Sequence, residues 1–199
     1  LFFFSDKESG LKNEKITNVI SVKSFDDFLF MATKKGIIKK ISLQNFSSPR
    51  ASGVKAINLP DDESDSLIDV KVVRKGQEVL LASRNGQAIR FNSDDVRDMG
   101  RASYGVAGIR LDSDDEVVSL EILDTEAVLT ITKNGFGKRT SVSDYRKTAR
   151  GGKGVINVKV SEKTGNVVTT IAVNDKDNII ITTAKGIVIR TTLDNIRVM

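Results

Sequence analysis

A short glycine-centred pattern occurs four times in this chain at nearly constant intervals. Gly36, Gly86, Gly135 and Gly186 follow one another at spacings of 50, 49 and 51 residues. A repeat of this length is typical of propeller blades or solenoid units, each of which buries its faces only against its neighbours. The chain must therefore form an array of similar units, and we expect one domain over residues 1–199.

Each repeat has the local chemistry of a β-hairpin. A run of β-branched and apolar residues leads into Lys-Gly or Asn-Gly, and a second such run follows. Glycine readily adopts the positive φ of a tight hairpin turn, and asparagine before it tolerates the same region. With a further strand before and after the hairpin, each repeat offers about four short strands and no convincing helix. The sequence predicts an all-β, propeller-like array of four-stranded blades of about 50 residues.

The first residues do not keep the period. The sequence LFFFSDK at residues 1–7 resembles a strand leading into a hairpin glycine, so a glycine is expected near position 8. Gly36 follows that position about 22 residues too early for a full repeat. Either the first repeat is truncated or residues are missing after Lys7, and we favour missing residues.

Two residue types that carry much enzyme chemistry are absent. The chain has no cysteine and no histidine. Disulfides, thiolate metal sites and the commonest general base are thereby excluded. No apolar run reaches the roughly 18 residues that a membrane-spanning helix needs. We predict no catalytic residues, no metal site and no cofactor.

Basic residues recur at fixed positions of the repeat, on a chain of net charge +5. One set follows the hairpin glycines, and another lies around small-residue loops that end in Gly-Val. A duplex bound without base recognition needs such spaced phosphate contacts. The predicted DNA-binding residues are Lys39, Lys40, Arg50, Lys55, Arg90, Arg101, Arg110, Lys138, Arg139, Arg150, Gly151, Gly152, Lys153, Gly154 and Arg190.

Other features allow more than one interpretation. The glycines at 151, 152 and 154 either form turns or bring backbone N–H groups close to phosphate. Two acidic stretches, at residues 61–65 and 112–116, lack the ligand pattern of a calcium loop, and we expect solvated turns that face away from DNA. Phe3, Phe25, Phe30 and Phe136 are assigned to the core rather than to base stacking.

Three segments resemble the C-terminal DNA-wrapping domain of DNA gyrase A subunits. They are LTITKNGFGKRT at residues 129–140, YGVAGIRL at 104–111 and RGGKGV at 150–155. The resemblance covers nearly the whole chain and implies a β-pinwheel, in which each blade exchanges its outer strand with a neighbour. It also implies a basic rim that bends duplex DNA largely without sequence specificity.

The family also implies partners and a cellular setting. In the whole protein this domain follows a catalytic region that carries the DNA-cleaving tyrosine, and that role is not transferred to Tyr104 or Tyr145. The resemblance implies a bacterial, cytoplasmic and nucleoid-associated protein that works in ATP-dependent negative supercoiling. Its implied partners are duplex DNA, the rest of the gyrase A polypeptide and the gyrase B subunits of an A2B2 enzyme. The isolated domain is expected to be monomeric and catalytically inert.

The family's hallmark is the heptapeptide QRRGGxG. Residues 150–154, RGGKG, match its last five positions, but Thr148 and Ala149 replace the leading glutamine and arginine. By repeat counting this is the version found in a later blade. Two alternatives stay open: the equivalent domain of topoisomerase IV A subunits, whose loops are usually more degenerate, and a protein-binding propeller scaffold, which would need apolar hot spots on one face.

Overall fold

A computed structural model describes residues 16–48 and 53–199. Thirteen strands and four single 3-10 turns make up the regular structure of these residues. The strands are β1 (Phe28–Thr33), β2 (Ile37–Ser42), β3 (Leu67–Val73), β4 (Glu78–Ser83), β5 (Gln87–Asn92), β6 (Val106–Ala107), β7 (Val117–Leu123), β8 (Ala127–Thr132), β9 (Gly137–Ser141), β10 (Val155–Ile156), β11 (Val167–Val173), β12 (Asn178–Thr182) and β13 (Val188–Thr192). The 3-10 turns are Leu43–Phe46, Ser93–Asp95, Val142–Asp144 and Leu193–Asn195. The prediction of an all-β fold is confirmed.

The four repeated glycines lie in the hairpin turns, as predicted, but the turns are longer than two residues. Between β1 and β2 the loop is Lys34, Lys35 and Gly36, and Gly36 has φ +82°. A type I turn followed by a left-handed glycine is the usual three-residue hairpin connection. Asn85 and Asn134 do not share the positive φ. Their side chains instead reach the turn before the next strand, where Asn134 Nδ2 donates to the carbonyl of Lys163 at 3.0 Å.

Blades are linked by exchange of their outermost strand. The first sheet has the order β3-β1-β2-β6, and β6 belongs to the following repeat. The second sheet has the order β10-β5-β4-β7, and β10 again comes from the next repeat. In both cases the strand begins at the valine of a Gly-Val pair. This exchange makes the fold a β-pinwheel, and β6 and β10, which follow the Gly-Val loops, each form one edge of an exchanged sheet.

The two later sheets have fewer strands in the described part of the chain. The third sheet is β11-β8-β9, and the fourth is β12-β13. Residues 16–22 form no strand, although Asn18 Nδ2 donates to the carbonyl of Val70 on β3. The exchanged strand β10 is short and consists of Val155 and Ile156 alone. The expectation of missing residues after Lys7 lies outside the described residues.

Most of the core lies between consecutive blades, and one smaller cluster around Met31, Ile41 and Ile57 lies within the first repeat. The largest cluster joins the first two blades through Phe30 and Phe91, whose ring centroids are 6.2 Å apart. Similar clusters join the second blade to the third and the third to the fourth. Phe30 is fully buried, as predicted, whereas Phe136 is 42% exposed and lies beneath the Lys163 ammonium. None of the helical turns in the ranges described is long and apolar enough to cross a membrane.

Candidate nucleic-acid interface

In the first three repeats, the basic residue four positions after the hairpin glycine joins consecutive blades. Lys40 is buried, and its Nζ donates to the carbonyl of Ser93 at 2.8 Å, in the 3-10 turn of the next repeat. The same ammonium lies 3.5 Å from a carboxylate oxygen of Asp94 and 5.3 Å from the centre of the Phe28 ring. All three contacts hold the ammonium inside the protein.

In the next two repeats, the arginine at the same position also bonds to the following blade. Arg90 donates to the carbonyls of Val142 at 2.7 Å and Tyr145 at 3.2 Å, and it pairs with Glu78 on its own blade. Arg139 is 6% exposed and donates to the carbonyl of Leu193 at 3.4 Å. These contacts cross from one blade to the 3-10 turn of the following one.

The prediction of DNA contact is therefore wrong for the buried members of this set. A side chain such as Lys40 or Arg139, buried and bonded to backbone carbonyls, cannot reach a phosphate outside the protein. Arg90 is largely enclosed and is bound to a carboxylate and two carbonyls. Arg190 is exposed, and it bonds only to Asn178 Oδ1 at 2.9 Å among its described neighbours. It remains accessible to a ligand.

Burial also argues against DNA contact by Lys39, another of the predicted residues. It is fully buried, and its Nζ donates to the carbonyls of Ala56, Arg101 and Ser103 at 2.7, 2.8 and 3.1 Å. Burial lowers the pKa of this ammonium. Its counterpart Lys138 is half-buried and makes one long bond, 3.4 Å to the carbonyl of Asn157.

Two predicted residues from consecutive repeats share one surface concavity. Lys55 and Arg101 are both exposed and line a hollow of about 300 Å³, together with Gly53, Val54, Asn58 and Ala102. The two loops touch directly, because Asn58 donates from its backbone to Ser103 at 3.1 Å and from its side chain to Ala102 at 2.9 Å. Arg50 lies outside the described residues.

The third loop, residues 150–154, is tied to the second repeat by its backbone. Gly151 N–H donates to the carbonyl of Gly108 at 2.6 Å, so this group is not free to bind phosphate. Gly152 accepts from the N–H of Arg110 at 2.9 Å. At Gly154, φ is +79° and an added Cβ would lie 2.2 Å from the carbonyl oxygen of Ala88. Turn formation and close strand approach therefore explain Gly151 and Gly154.

The charged side chains of this loop differ in exposure. Arg150 is half-buried and donates to the carbonyls of Ala107 at 3.1 Å and Asp95 at 3.2 Å. Lys153 is exposed and forms an ion pair with Asp112 at 3.3 Å. Arg110 is exposed nearby.

The second acidic stretch does not lie apart from the basic loops. Its residues and those of the first stretch surround a groove of about 690 Å³ that Arg110 and Gly151 also line. Asp115 Oδ1 accepts from the N–H of Asn85 at 2.9 Å, so it caps a hairpin turn. Asp65 does the same for Lys35 at 2.9 Å. That the acidic turns face away from DNA stays a prediction, although Asp112 pairs with Lys153 of the third loop. A structural role explains Asp65 and Asp115.

A second periodic set of arginines was not among the predicted sites. Arg97, Arg146 and Arg197 each stand eleven positions after a hairpin glycine and are exposed. None of the three forms an ion pair within residues 16–48 and 53–199. Each directly precedes the residue that bridges to the previous blade's hairpin, at Asp98, Lys147 and Val198. Their spacing of 49 and 51 residues was the signal that could have found them.

Tyr145 belongs to a buried polar network. Its hydroxyl donates to Asn157 Oδ1 at 2.5 Å, and Asn157 Nδ2 donates to Thr130 Oγ1 at 2.9 Å. Burial raises the pKa of Tyr145 to about 12, which disfavours a phenolate nucleophile. The described residues contain no group of three or more carboxylates arranged to hold a metal ion.

Comparison with known proteins agrees with the repeat and the strand exchange. The family model described as DNA gyrase C-terminal domain, beta-propeller matches residues 27–74, 77–124, 126–174 and 177–199. The chain belongs to this family. Its four matched segments each contain one hairpin glycine, and together they cover most of the chain.

Among curated proteins, the DNA gyrase A subunit of Salmonella typhimurium is 44% identical over 190 residues, and that of Chlamydia pneumoniae is 41% identical over 191. Both alignments cover 94% of this chain but only 21% and 23% of the relatives, so the chain spans less than a quarter of their length. The solved DNA gyrase A C-terminal domain matches with TM-score 0.78 at 31% identity, over 86% of this chain and 57% of that one.

The C-terminal domain of DNA topoisomerase IV gives a TM-score of 0.86 over 98% of this chain and 62% of that one, at 23% identity. At this identity the match shows the shared fold alone. The sequence relatives favour the gyrase interpretation over the topoisomerase IV alternative.

Proposed function

We propose that this gyrase-family domain binds duplex DNA along the outer edge of its blades and bends it, largely without sequence preference. The observation that carries the proposal is the row of exposed arginines at 97, 146 and 197, one in each of the last three repeats, which form no ion pair among the described residues. The first repeat has Ser47 at this position. Phosphate contacts at regular spacing neutralise a backbone without reading bases. Lys55, Arg101, Arg110, Lys153 and Arg190 add exposed positive charge.

Bending follows from the geometry of the array. Successive blades present equivalent arginines, so a duplex that contacts all of them must follow the curve of the stacked blades. Bending a few tens of base pairs costs several kcal/mol, roughly 1 to 6 by elastic estimates, and additional phosphate contacts offset this. Arg150 supports the loop that presents Lys153, through its bonds to Asp95 and Ala107.

The role in the whole protein is part of the same proposal. We infer that the domain serves a bacterial, cytoplasmic gyrase A protein, assembled with gyrase B as A2B2, in ATP-dependent negative supercoiling. The domain itself is proposed to be monomeric and without catalytic activity, since the DNA-cleaving tyrosine belongs to another region of the protein.

A salt titration tests the binding proposal. Affinity for two unrelated duplexes is measured at several salt concentrations, for the parent chain and for Arg146→Ala. We expect equal affinities for the two duplexes and a steep salt dependence, whose log–log slope falls by about 0.9 in the variant. Lys75→Ala is the control. It removes one positive charge from an exposed lysine in the β3–β4 turn, outside the proposed set of DNA contacts. A slope unchanged by Arg146→Ala, or a strong preference for one sequence, would reject the proposal.

A further inference from the structure

Lys39 is an unusual residue for a strand that is otherwise apolar on its inner face. Its side chain has no measurable exposure, yet among the described residues no carboxylate lies within ion-pair distance of its ammonium. A buried charge without compensation is very costly. Compensation comes instead from three backbone carbonyls, one for each ammonium proton.

The three carbonyls belong to two different loops. Ala56 is in the Gly-Val loop of the first repeat, and Arg101 and Ser103 are in the loop of the second. Lys39 itself lies on β2, between them. One ammonium therefore joins two segments that are 45 or more residues apart in the chain and carry Lys55 and Arg101.

The second repeat has an apolar residue at the position that corresponds to Lys39. Ile89 stands three residues after Gly86, as Lys39 does after Gly36. The loop against Ile89, residues 150–154, is held by Arg150 instead. Lys138 of the third repeat is only half-buried and makes one long bond, so among the described residues a fully buried ammonium joins only the first pair of loops. This attachment coincides with the hollow that Lys55 and Arg101 share.

We propose that Lys39 is a positioning residue that holds Lys55 and Arg101 together as one phosphate-binding subsite, shared between two consecutive repeats. The inference rests on the proposed DNA-binding function and extends it. Lys39 does not touch DNA itself. It fixes the distance between two cations that contact the same stretch of backbone, so their contributions to binding depend on it.

Replacement by a neutral side chain of similar length tests this. For Lys39→Met we expect the log–log salt slope of DNA binding to fall by about 1.8, the value for two lost phosphate contacts. Lys55→Ala and Arg101→Ala together should cause the same fall, and adding them to Lys39→Met should cause little more. Arg146→Ala should lower the slope equally in both backgrounds, because residues in separate sites act additively.

Chemical rescue separates the charge from general packing. The chain has no cysteine, so Lys39→Cys introduces a single thiol that can be alkylated in denaturant before refolding. Bromoethylamine restores an ammonium on a side chain of lysine length, and iodoacetamide leaves a neutral one. We expect the aminoethylated protein to regain the parent slope and the carbamidomethylated protein to resemble Lys39→Met.

A measurement on the unmodified chain keeps the proposal testable if these variants do not fold. With nitrogen-15 lysine labelling, a triply bonded, buried ammonium gives a slowly exchanging NH3 signal. Absence of that signal overturns the proposal, as does a Lys39→Met variant that retains the parent slope while the Lys55 and Arg101 variants lower it. No DNA binding by the parent chain would instead reject the proposed function.

Discussion

Arg90 on β5 donates from Nη1 to the carbonyl oxygen of Val142, at 2.7 Å, and so joins one blade to the 3-10 turn of the next. Lys40 has the same relation to Ser93, at 2.8 Å. Because the acceptors are backbone carbonyls, the contact does not depend on which side chains the turn carries. The recurrence of a base at this position is explained by inter-blade attachment.

We predict that Arg90→Met destabilises the chain by roughly 2 to 3 kcal/mol, since hydrogen bonds to charged groups contribute about 1.5 to 3 kcal/mol. The substitution removes the bonds to two carbonyls and to Glu78, which keeps its ion pair with Lys147. Arg190→Met is the matched control at the same repeat position. Arg190 is exposed and bonds only to Asn178 among its described neighbours, so a change below about 0.5 kcal/mol is expected. Urea unfolding measures both, and equal losses would contradict the assignment.

The sequence predicted the architecture better than the site, and the reason lies in the repeat. In a stacked array, a residue recurs either because each blade packs on the next or because all blades face one ligand. Lys40 and Arg139 recur for the first reason, and we propose that Arg97 and Arg146 recur for the second. Their spacing is equally regular. Only burial, which depends on the exchanged strands and the 3-10 turns, separates the two sets.

Lys39 and Gly154 show a further limit of pattern reading. A lysine in a strand is normally solvated, and nothing in the residues near Lys39 predicts three carbonyls from loops that are far away in sequence. From the sequence, Gly154, the last glycine of RGGKG, is compatible with a turn or with phosphate binding. Its contact with Ala88 comes from strand exchange between repeats, which the family resemblance implied but local chemistry did not.

Glu78 makes stability depend on acid. Burial by itself would raise the pKa of this carboxyl, but hydrogen bonds from Lys147 and Arg90 outweigh it and hold the pKa below the ordinary value of 4.5. The folded state therefore binds the proton less readily than the unfolded chain. The resulting stabilisation is fully present above about pH 4.5 and is lost as the pH falls through the folded-state pKa.

We expect Glu78→Gln to flatten the acid-side decline in the free energy of unfolding. Urea titrations at a series of pH values measure it, with Glu162→Gln as an exposed control. An unchanged pH profile in Glu78→Gln would show that the pair contributes nothing to acid sensitivity.

Strand exchange depends on the absence of a side chain at Gly154. Both Gly154 and Gly76 have positive φ, +79° and +81°, but an added Cβ at Gly76 meets no atom within 4 Å. Gly76→Ala should therefore cost only the left-handed strain, about 1 to 2 kcal/mol. Gly154→Ala should cost about 3 kcal/mol or more, because Ala88 must also move. Urea unfolding and amide exchange of Val155 and Ile156 distinguish the two, and equal costs would exclude the close approach.

The ion pair between Asp112 and Lys153 should limit DNA binding at the third loop. Both side chains are more than half exposed and lie 3.3 Å apart, so the carboxylate competes with phosphate for the same ammonium. Asp112→Asn is expected to tighten DNA binding several-fold at low salt, while stability changes by less than about 0.5 kcal/mol. Asp124→Asn, an exposed residue in the β7–β8 turn, makes the same change in net charge and serves as the control.

A double substitution decides whether the effect acts through Lys153. In a Lys153→Ala background there is no ammonium for Asp112 and phosphate to compete for. Asp112→Asn should then tighten binding no more than Asp124→Asn does. The same salt-series titration measures all of these variants. The opposite outcome is that Asp112→Asn tightens binding equally with and without Lys153. The gain in affinity would then come from the electrostatic potential of the whole surface, because long-range charge effects do not need a particular partner.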